Sequence, residues 1–144
     1  MTAATPAVMP SPREVDEFVA RTYPAAAAQG FRCESMSEGQ ILARWIHDPS
    51  TLRPGGLISG PTQFSLADLA LWFLSFTVLG LAPMAVTTDV HIMFLRPAQG
   101  GDLLARAEML RAGKTRIAGR VIVWVDGAPD RPVAHATGAY ARLA

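Results

Sequence analysis

The sequence contains a single cysteine, Cys33, among its 144 residues. One thiol excludes an internal disulfide framework and allows a reducing compartment. Charged residues make up only 17% of the chain and the formal net charge is +1, so we expect no partnership with nucleic acid or with an anionic membrane surface. Residues 1–12 have neither a basic segment nor an apolar run, so we expect no secretory signal and a cytoplasmic protein.

Hydrophobic residues make up 50% of the chain, and residues 66–82 form one stretch that is apolar on nearly every side. Just before it, Gly60 can cap a helix and Pro61 can be its first residue, because proline lacks the N–H that a helix start leaves unpaired. A helix without a polar stripe should be enclosed by protein. We therefore predict a long core helix. A membrane span is the alternative, but it would leave the alternating segments that follow without a partner.

Asp68 is the one charged residue of this predicted helix. Moving an unpaired carboxylate into an apolar interior costs several kcal/mol, so such a group is usually paired, neutralised or needed for function. Two interpretations follow. Asp68 is either a hydrogen-bonded residue of the core or a functional group, and the second is the hypothesis developed below.

The start of the predicted helix offers a second functional element. Free backbone N–H groups at a helix start favour negative charge, so Gly60, Thr62 and Gln63 can offer donors to an oxyanion. Eight residues of helix rise about 12 Å, so the Asp68 carboxylate and the helix start of one chain cannot reach the same small reacting group. Two chains can. The spacing therefore favours a symmetric dimer in which Asp68 of one subunit works with the helix start of the other.

The rest of the chain indicates one domain that combines helices with a sheet. Ser11 and Glu14 have the spacing of a capping box, which predicts a short amphipathic helix after a flexible N-terminus at residues 1–10. Residues 11–144 are predicted to form a single α+β domain, in which an antiparallel sheet of five to six strands curves around the central helix. Alternation of apolar and polar residues predicts strands at residues 40–47, 85–95, 103–111, 116–125 and 133–143.

Five blocks of sequence follow one another at characteristic distances: GPTQFSLAD at 60–68, TDVHIMFLRP at 88–97, GDL at 101–103, GK at 113–114 and VAHATG at 133–138. In order and spacing they resemble the hotdog-fold acyl-CoA thioesterases of the phenylacetic-acid-degradation type. The resemblance implies the hotdog fold, an antiparallel sheet wrapped around a central helix. It also implies homodimers, often paired into homotetramers, with active sites at the subunit interface and no cofactor beyond the coenzyme A that the substrate carries.

By this resemblance the substrate is a small or medium acyl-CoA, and Asp68 attacks its thioester carbonyl or activates the attacking water. The Gly60 N–H of the partner chain polarises that carbonyl. For Phe64 and Trp72, ordinary core packing is an equally open alternative to contact with substrate. Substrate contacts are expected around the helix start and on the face of Asp68, from Ser59, Pro61, Thr62, Phe64, Ser65 and Trp72.

Three positions depart from the pattern of this family. Its members commonly show a His-Gly-Gly triplet with an asparagine six residues before the histidine, whereas this chain has Ser59-Gly60-Pro61 and Arg53. A hydroxyl can donate one hydrogen bond but lacks the reach and charge of an imidazole. A hotdog module that binds acyl-CoA or another small ligand without catalysis is therefore the alternative function.

Other candidate sites are weaker. Arg111, Lys114 and Arg116 flank one predicted hairpin, which is either a solvated charged turn or a docking point for the phosphates of coenzyme A. The three histidines lie on three different predicted strands without ligand spacing, so we expect no metal site. Ser59 does not stand in a G-x-S-x-G motif, which argues against a serine hydrolase.

Overall fold

A computed structural model describes residues 8–143, so most of the predicted flexible N-terminus, residues 1–7, lies outside the described residues. Three α-helices and six strands make up the fold. Their bounds are α1 (Pro12–Thr22), α2 (Pro24–Ala28), β1 (Phe31–Ser37), β2 (Gln40–Trp45), α3 (Gly60–Leu79), β3 (Val86–Phe94), β4 (Leu103–Ala112), β5 (Arg116–Val125) and β6 (Ala134–Ala141).

The six strands form one antiparallel sheet in the order β1-β2-β4-β5-β6-β3. The long helix α3 contacts every one of these strands. This arrangement confirms the predicted α+β hotdog fold, with its antiparallel sheet wrapped around a central apolar helix. Five of the six strands coincide within a few residues with the predicted ones.

The strand β1 was not predicted, because its sequence does not show the alternation of apolar and polar residues. Its pairing with β2 shifts register between Cys33 and Ser35, where one extra residue forms a bulge. A bulge interrupts the alternation of side chains between the two faces of a sheet, so the period of two that identifies a strand in the sequence is lost here.

The helix α1 begins at the predicted capping box. The Glu14 N–H donates to Ser11 Oγ and the Ser11 N–H donates to Glu14 Oε1, each at 3.1 Å. The apolar side of α1 then packs on α3. The ring of Phe18 lies 6.0 Å from that of Trp72 and 5.7 Å from that of Phe76. The predicted amphipathic helix is therefore confirmed, and it covers part of α3 that the sheet leaves open.

The core of the domain is α3 itself. Of the described helices, α3 is the one whose length and hydropathy would suit a membrane span, but most of it is buried inside this domain. The helix α3 is therefore a core helix, as predicted from the strands that follow it in the sequence. Side chains with no exposed surface occur on several sides of α3, at Leu66, Ala67, Ala70, Phe73 and Leu74.

Glycines in two central strands allow α3 to approach the sheet closely. A Cβ atom on Gly138 of β6 would lie 2.6 Å from the Asp89 carbonyl oxygen and 2.9 Å from Leu71 Cδ1. A Cβ atom on Gly119 of β5 would lie 2.6 Å from Leu74 Cδ2. These distances are shorter than carbon contacts in a packed interior, so the helix could not sit at its present depth if either residue had a side chain.

The two edges of the sheet differ. At the β1 edge, Asp16 of α1 accepts the Cys33 N–H with its Oδ1 at 2.7 Å. The β3 edge has no such cover within residues 8–143, and most of its nine residues are exposed, including Val86, Met93 and Phe94. A long exposed edge strand with apolar side chains is a template for pairing with another chain.

We expect Gly138→Ala to lower the free energy of unfolding by about 1–3 kcal/mol, because the added methyl group forces the helix or the neighbouring strand to move. Unfolding in urea measures the change. Thr137→Val is the matched control, since it alters an exposed residue of the same strand and keeps its β-branched shape. Equal stability of Gly138→Ala and the parent would show that the helix does not need this close approach.

Candidate active site

Asp68 lies half-buried on α3, and one of its carboxylate oxygens is held by two hydroxyl groups. Asp68 Oδ1 accepts a hydrogen bond from Thr87 Oγ1 at 2.8 Å and one from the Tyr140 hydroxyl at 2.9 Å. Within residues 8–143 its other oxygen, Oδ2, has no hydrogen-bond donor. Asp68 is thus hydrogen-bonded through one oxygen, as the core interpretation expected, and its second oxygen is available for chemistry.

A cleft of about 350 Å³ opens beside this carboxylate. Trp72 forms part of its wall, although only 7% of that residue is exposed. The Trp72 ring N–H donates to the Ala82 carbonyl at 3.2 Å, and the Tyr23 ring lies 6.4 Å from the indole. Trp72 therefore belongs to the core and to the cleft wall at once. Around Asp68 the cleft is lined by Thr22, Tyr23, Leu69, Trp72, Pro83, Ala85, Val86, Thr87 and Tyr140.

The Tyr140 phenol stays protonated and so remains a hydrogen-bond donor to Asp68. Burial raises the pKa of its phenol, and the negative charge of Asp68 raises the pKa further, since a second negative charge beside the carboxylate would be unfavourable. The phenol therefore keeps its proton at every pH at which the protein works.

The first turn of α3 leaves a single amide free. Ser59 is the N-cap, and its Oγ accepts the Thr62 N–H at 3.2 Å while its carbonyl accepts the Gln63 N–H at 3.2 Å. Pro61 has no N–H. Among the described residues the Gly60 N–H alone in this turn has no acceptor. The prediction of three free N–H donors is therefore wrong for Thr62 and Gln63, because Ser59 accepts both of these N–H groups. The prediction that Gly60 caps the helix is also wrong, because the N-cap is Ser59.

A second cleft, of about 590 Å³, lies at this helix start. The Phe94 ring covers Gly60, where a Cβ atom would meet Phe94 Cζ at 3.3 Å. Arg53 is fixed by a hydrogen bond from its N–H to the Leu57 carbonyl at 2.9 Å. This cleft is lined by Arg53, Leu57, Ile58, Gly60, Pro61, Gln63, Phe94, Leu95, Arg96, Pro97 and Ala98.

The two clefts share no lining residue, and β3 runs from one to the other. Thr87, near the beginning of β3, is bonded to Asp68, and Phe94, at its end, covers Gly60. Asp68 and Gly60 of one chain therefore belong to separate clefts, as the rise of the helix between them predicted. A single chain contains both groups but does not bring them together.

The remaining predicted site residues divide among three places. Phe64 lies on the surface of α3 between Gly60 and Asp68 and is 39% exposed. Thr62 and Ser65 line a small cleft of about 180 Å³ on the side of β1 and β2, and Pro61 lines both this cleft and that of Gly60. The β4–β5 hairpin gathers its cations around a groove of about 560 Å³ lined by Arg111, Gly113, Lys114, Thr115, Arg116 and Ala118.

Sequence reasoning missed the two hydroxyls that hold Asp68. Thr87 and Tyr140 are cross-strand partners in β3 and β6, so their side chains point to the same face. The register of β3 shifts between Thr87 and Asp89. The bulge at Thr88 moves Thr87 onto the face that the sequence assigned to Val86 and Thr88. Only the pairing of the strands reveals this placement.

An antiparallel sheet wrapped around one apolar helix, with a carboxylate on the helix and a free amide at its start, is the architecture of hotdog-fold thioester hydrolases. The thioesterase superfamily model matches residues 55–129, more than half of the chain. The chain belongs to this superfamily of thioester hydrolases. No curated protein sequence matches the chain.

Solved structures agree with this assignment. A candidate thioesterase of Silicibacter sp. TM1040 is 30% identical, with a TM-score of 0.81 over 92% of this chain and 94% of that one. PaaI from the phenylacetic acid degradation operon of E. coli is 26% identical, with a TM-score of 0.76 over 94% and 97% of the two chains. A mutant form of the phenylacetic acid degradation protein PaaI from Thermus thermophilus is 26% identical, with a TM-score of 0.71 over 83% and 99%.

The cap formed by Ser59 generates a prediction of its own. Ser59→Ala should lower the free energy of unfolding by about 1 kcal/mol because the Thr62 amide loses its acceptor, whereas Ser59→Asn should keep the cap and the stability. Urea unfolding of both variants tests this. If Ser59→Ala were as stable as the parent, the hydroxyl would be free for another role, such as contact with substrate.

Proposed function

We propose that this protein hydrolyses a small or medium acyl-CoA to a carboxylic acid and coenzyme A, at a site built by two identical subunits. Asp68 of one subunit and the Gly60 N–H of the other flank the thioester. The observation that carries this proposal is the placement of a carboxylate with one free oxygen and of a free helix amide at opposite ends of the same open edge strand.

The open edge of β3 supports the dimer. If two β3 strands pair antiparallel about a two-fold axis near Val90, the Thr87 end of one strand lies beside the Phe94 end of the other. The Asp68 cleft of each subunit then adjoins the Gly60 cleft of its partner. Phe64 lies between Gly60 and Asp68 on α3, and pairing would remove its exposed ring from water. Two dimers are expected to associate further into a tetramer.

The chemistry follows from the two groups. Asp68 Oδ2 either attacks the thioester carbon itself, or it removes a proton from a water molecule that attacks. In both routes the carbonyl oxygen becomes negative, the carbon–sulfur bond breaks and the thiolate leaves. In the route through water, the protonated Asp68 gives its proton to the thiolate and becomes a carboxylate again. In the first route the thiolate takes a proton from solvent, and water then hydrolyses the acyl-aspartate anhydride, which releases the acid and restores the carboxylate and the proton. The Gly60 N–H, at the positive end of α3, donates to the developing oxyanion.

The acyl group and the coenzyme A group of the substrate each have to match a different part of the protein surface. The walls of the Asp68 cleft are mostly apolar, with Leu69, Trp72 and Pro83 among them, which suits a short or medium acyl group. The cations of the β4–β5 hairpin suit the phosphates of coenzyme A. Arg116 pairs with Ala141, which also pairs with Val86, so this hairpin lies at the Asp68 end of the sheet. A cytoplasmic location, where coenzyme A is available, fits this substrate.

A second candidate function is binding without hydrolysis. The family histidine is replaced here by Ser59, whose hydroxyl is engaged in capping α3 and contacts Thr62 Oγ1 at 2.9 Å. A module that holds acyl-CoA in the same clefts without turnover would keep the fold and the hairpin cations. Calorimetry with acyl-CoA, alongside an assay for released thiol, separates the two functions.

Mixing two inactive variants tests the shared site. Asp68→Asn and Gly60→Pro should each lower kcat/KM for acyl-CoA by about 100-fold or more, because one lacks the carboxylate and the other the amide donor. Proline is tolerated as the first residue of a helix, but a Cβ atom at Gly60 would lie 3.3 Å from Phe94 Cζ, so the Phe94 ring has to shift. Gly60→Ala, which adds the same Cβ atom and keeps the N–H, is the matched control for this contact. Unfolding and refolding the two together should restore about one quarter of the parental activity, because half of the dimers are mixed and each mixed dimer has one intact site.

The control for the loss of an acid is Asp130→Asn, which removes an exposed carboxylate and should leave activity unchanged. Absence of restoration in the mixture, with both variants dimeric by light scattering, would show that each site belongs to a single chain. Full activity of Asp68→Asn would remove Asp68 from the mechanism altogether.

The hairpin cations give a separate prediction. The double variant Lys114→Gln/Arg116→Gln should raise KM for acyl-CoA about tenfold, because charge-assisted bonds to the phosphates are lost. Hydrolysis of the matching acyl-N-acetylcysteamine thioester, which has no phosphate, should be unchanged. Arg13→Gln on α1 is the control for the loss of a surface cation. An unchanged KM for acyl-CoA in the double variant would assign the phosphates to another part of the surface.

A further inference from the structure

We propose that Tyr140 is a positioning residue that, together with Thr87, occupies Oδ1 of Asp68 and so makes Oδ2 the only oxygen that reacts. The inference rests on the proposed thioesterase function and adds to it the choice of one oxygen. A carboxylate has two equivalent oxygens, and either can act as a nucleophile or base when both are free. Two hydroxyl donors on one of them remove this equivalence.

The hydrogen-bond distances support different roles for the two oxygens of the Asp68 carboxylate. Oδ1 accepts at 2.8 Å from Thr87 and at 2.9 Å from Tyr140, so its two lone pairs are both engaged. These donors approach from two different strands, β3 and β6, whereas Asp68 belongs to α3. The carboxylate is therefore fixed between the helix and the sheet, and rotation of its plane would break one or both bonds.

Tyr140 has one proton for two nearby acceptors. Its hydroxyl lies 2.9 Å from Asp68 Oδ1 and 3.1 Å from the Asp68 backbone carbonyl oxygen. That carbonyl lies within α3, where the helix already provides it with an N–H donor. The Tyr140 hydroxyl therefore donates to the carboxylate, because a hydrogen bond to a charged acceptor is stronger than one to a neutral acceptor.

The surroundings of Tyr140 give it the rigidity that positioning requires. The residue is 6% exposed and pairs with Ile117 of β5 on one side and with Thr87 of β3 on the other. The bulge beside Thr87 is itself fixed, since Thr88 Oγ1 donates to the Ala139 carbonyl at 3.1 Å. Bulges next to active sites often redirect a side chain, and this one turns the Thr87 hydroxyl toward Asp68.

Two donors on Oδ1 have a further effect on the reaction. They hold the plane of the carboxylate, so Oδ2 keeps one orientation during the reaction. Among the described residues no other charged side chain lines this cleft that could take the place of Asp68. Loss of the Tyr140 hydroxyl should therefore lower kcat, with little effect on substrate binding.

The experiment compares Tyr140→Phe with the parent dimer on one acyl-CoA. We expect kcat to fall about 10-fold or more and KM to change less than about twofold, because the carboxylate loses a bond that orients it while the contacts with substrate stay in place. Phenylalanine keeps the ring in the core, and thermal unfolding checks that it does.

Thr87 provides an independent variant pair. Thr87→Val should lower kcat with little change in KM, and Thr87→Ser should restore kcat because it returns the hydroxyl. Thr137→Val removes an exposed hydroxyl elsewhere on β6 and should leave kcat unchanged. If Tyr140→Phe lowers the thermal stability, the comparison of Thr87→Val with Thr87→Ser decides the matter alone.

Two failures are distinguishable. Parental kcat in Tyr140→Phe and Thr87→Val, with Asp68→Asn inactive, would overturn the positioning role and leave the proposed function in place. A fall in kcat in Thr87→Val that Thr87→Ser does not restore would also overturn it, because a purely structural role predicts that result. Undiminished activity of Asp68→Asn would instead overturn the proposed function.

Discussion

The burial of α3 is the constraint on which the rest of the structure depends. A helix that is apolar around its whole circumference has no side that can face water, so six strands, together with α1, enclose it. Gly119 and Gly138 let the sheet come close enough to do so. A polar group on such a helix reaches solvent only where the enclosure opens. The openings beside Asp68 and Gly60 are two of these places, and they hold the two groups that suit thioester hydrolysis.

Local sequence then refines what the helix start can do. A helix begins with several unpaired N–H groups. In α3, Ser59 accepts two of them, through its side chain and its carbonyl, and Pro61 has none, so only the Gly60 N–H of the first turn is free among the described residues. The result is one donor at a defined place. In the proposed mechanism this amide is the donor that faces the negative charge developing on the thioester carbonyl oxygen.

Much of this molecule could be predicted from local patterns. The periodicity of α1, the apolar run of α3 and the alternation of five strands identified the fold, and the isolation of Asp68 in an apolar run identified the carboxylate. What depended on register could not be predicted. The bulge near Cys33 hid β1, and the bulge at Thr88 hid the hydroxyl that reaches Asp68. Tyr140 looked like one more aromatic residue of the last strand, since only the pairing of β6 with β3 places its phenol against the carboxylate. The Ser59 cap was missed because glycine at the next position is also an acceptable cap.

The unequal edges of the sheet would also limit assembly by strand addition. Within residues 8–143 each chain has one uncovered edge strand, β3, and one edge strand, β1, in which Asp16 of α1 occupies the Cys33 amide. If two chains paired at β3, both uncovered edges would be used, and the resulting sheet of twelve strands, twice the six of one chain, would have a β1 strand at each end. Strand addition would then stop after one step, so pairing at this edge would give a closed dimer and not a fibre.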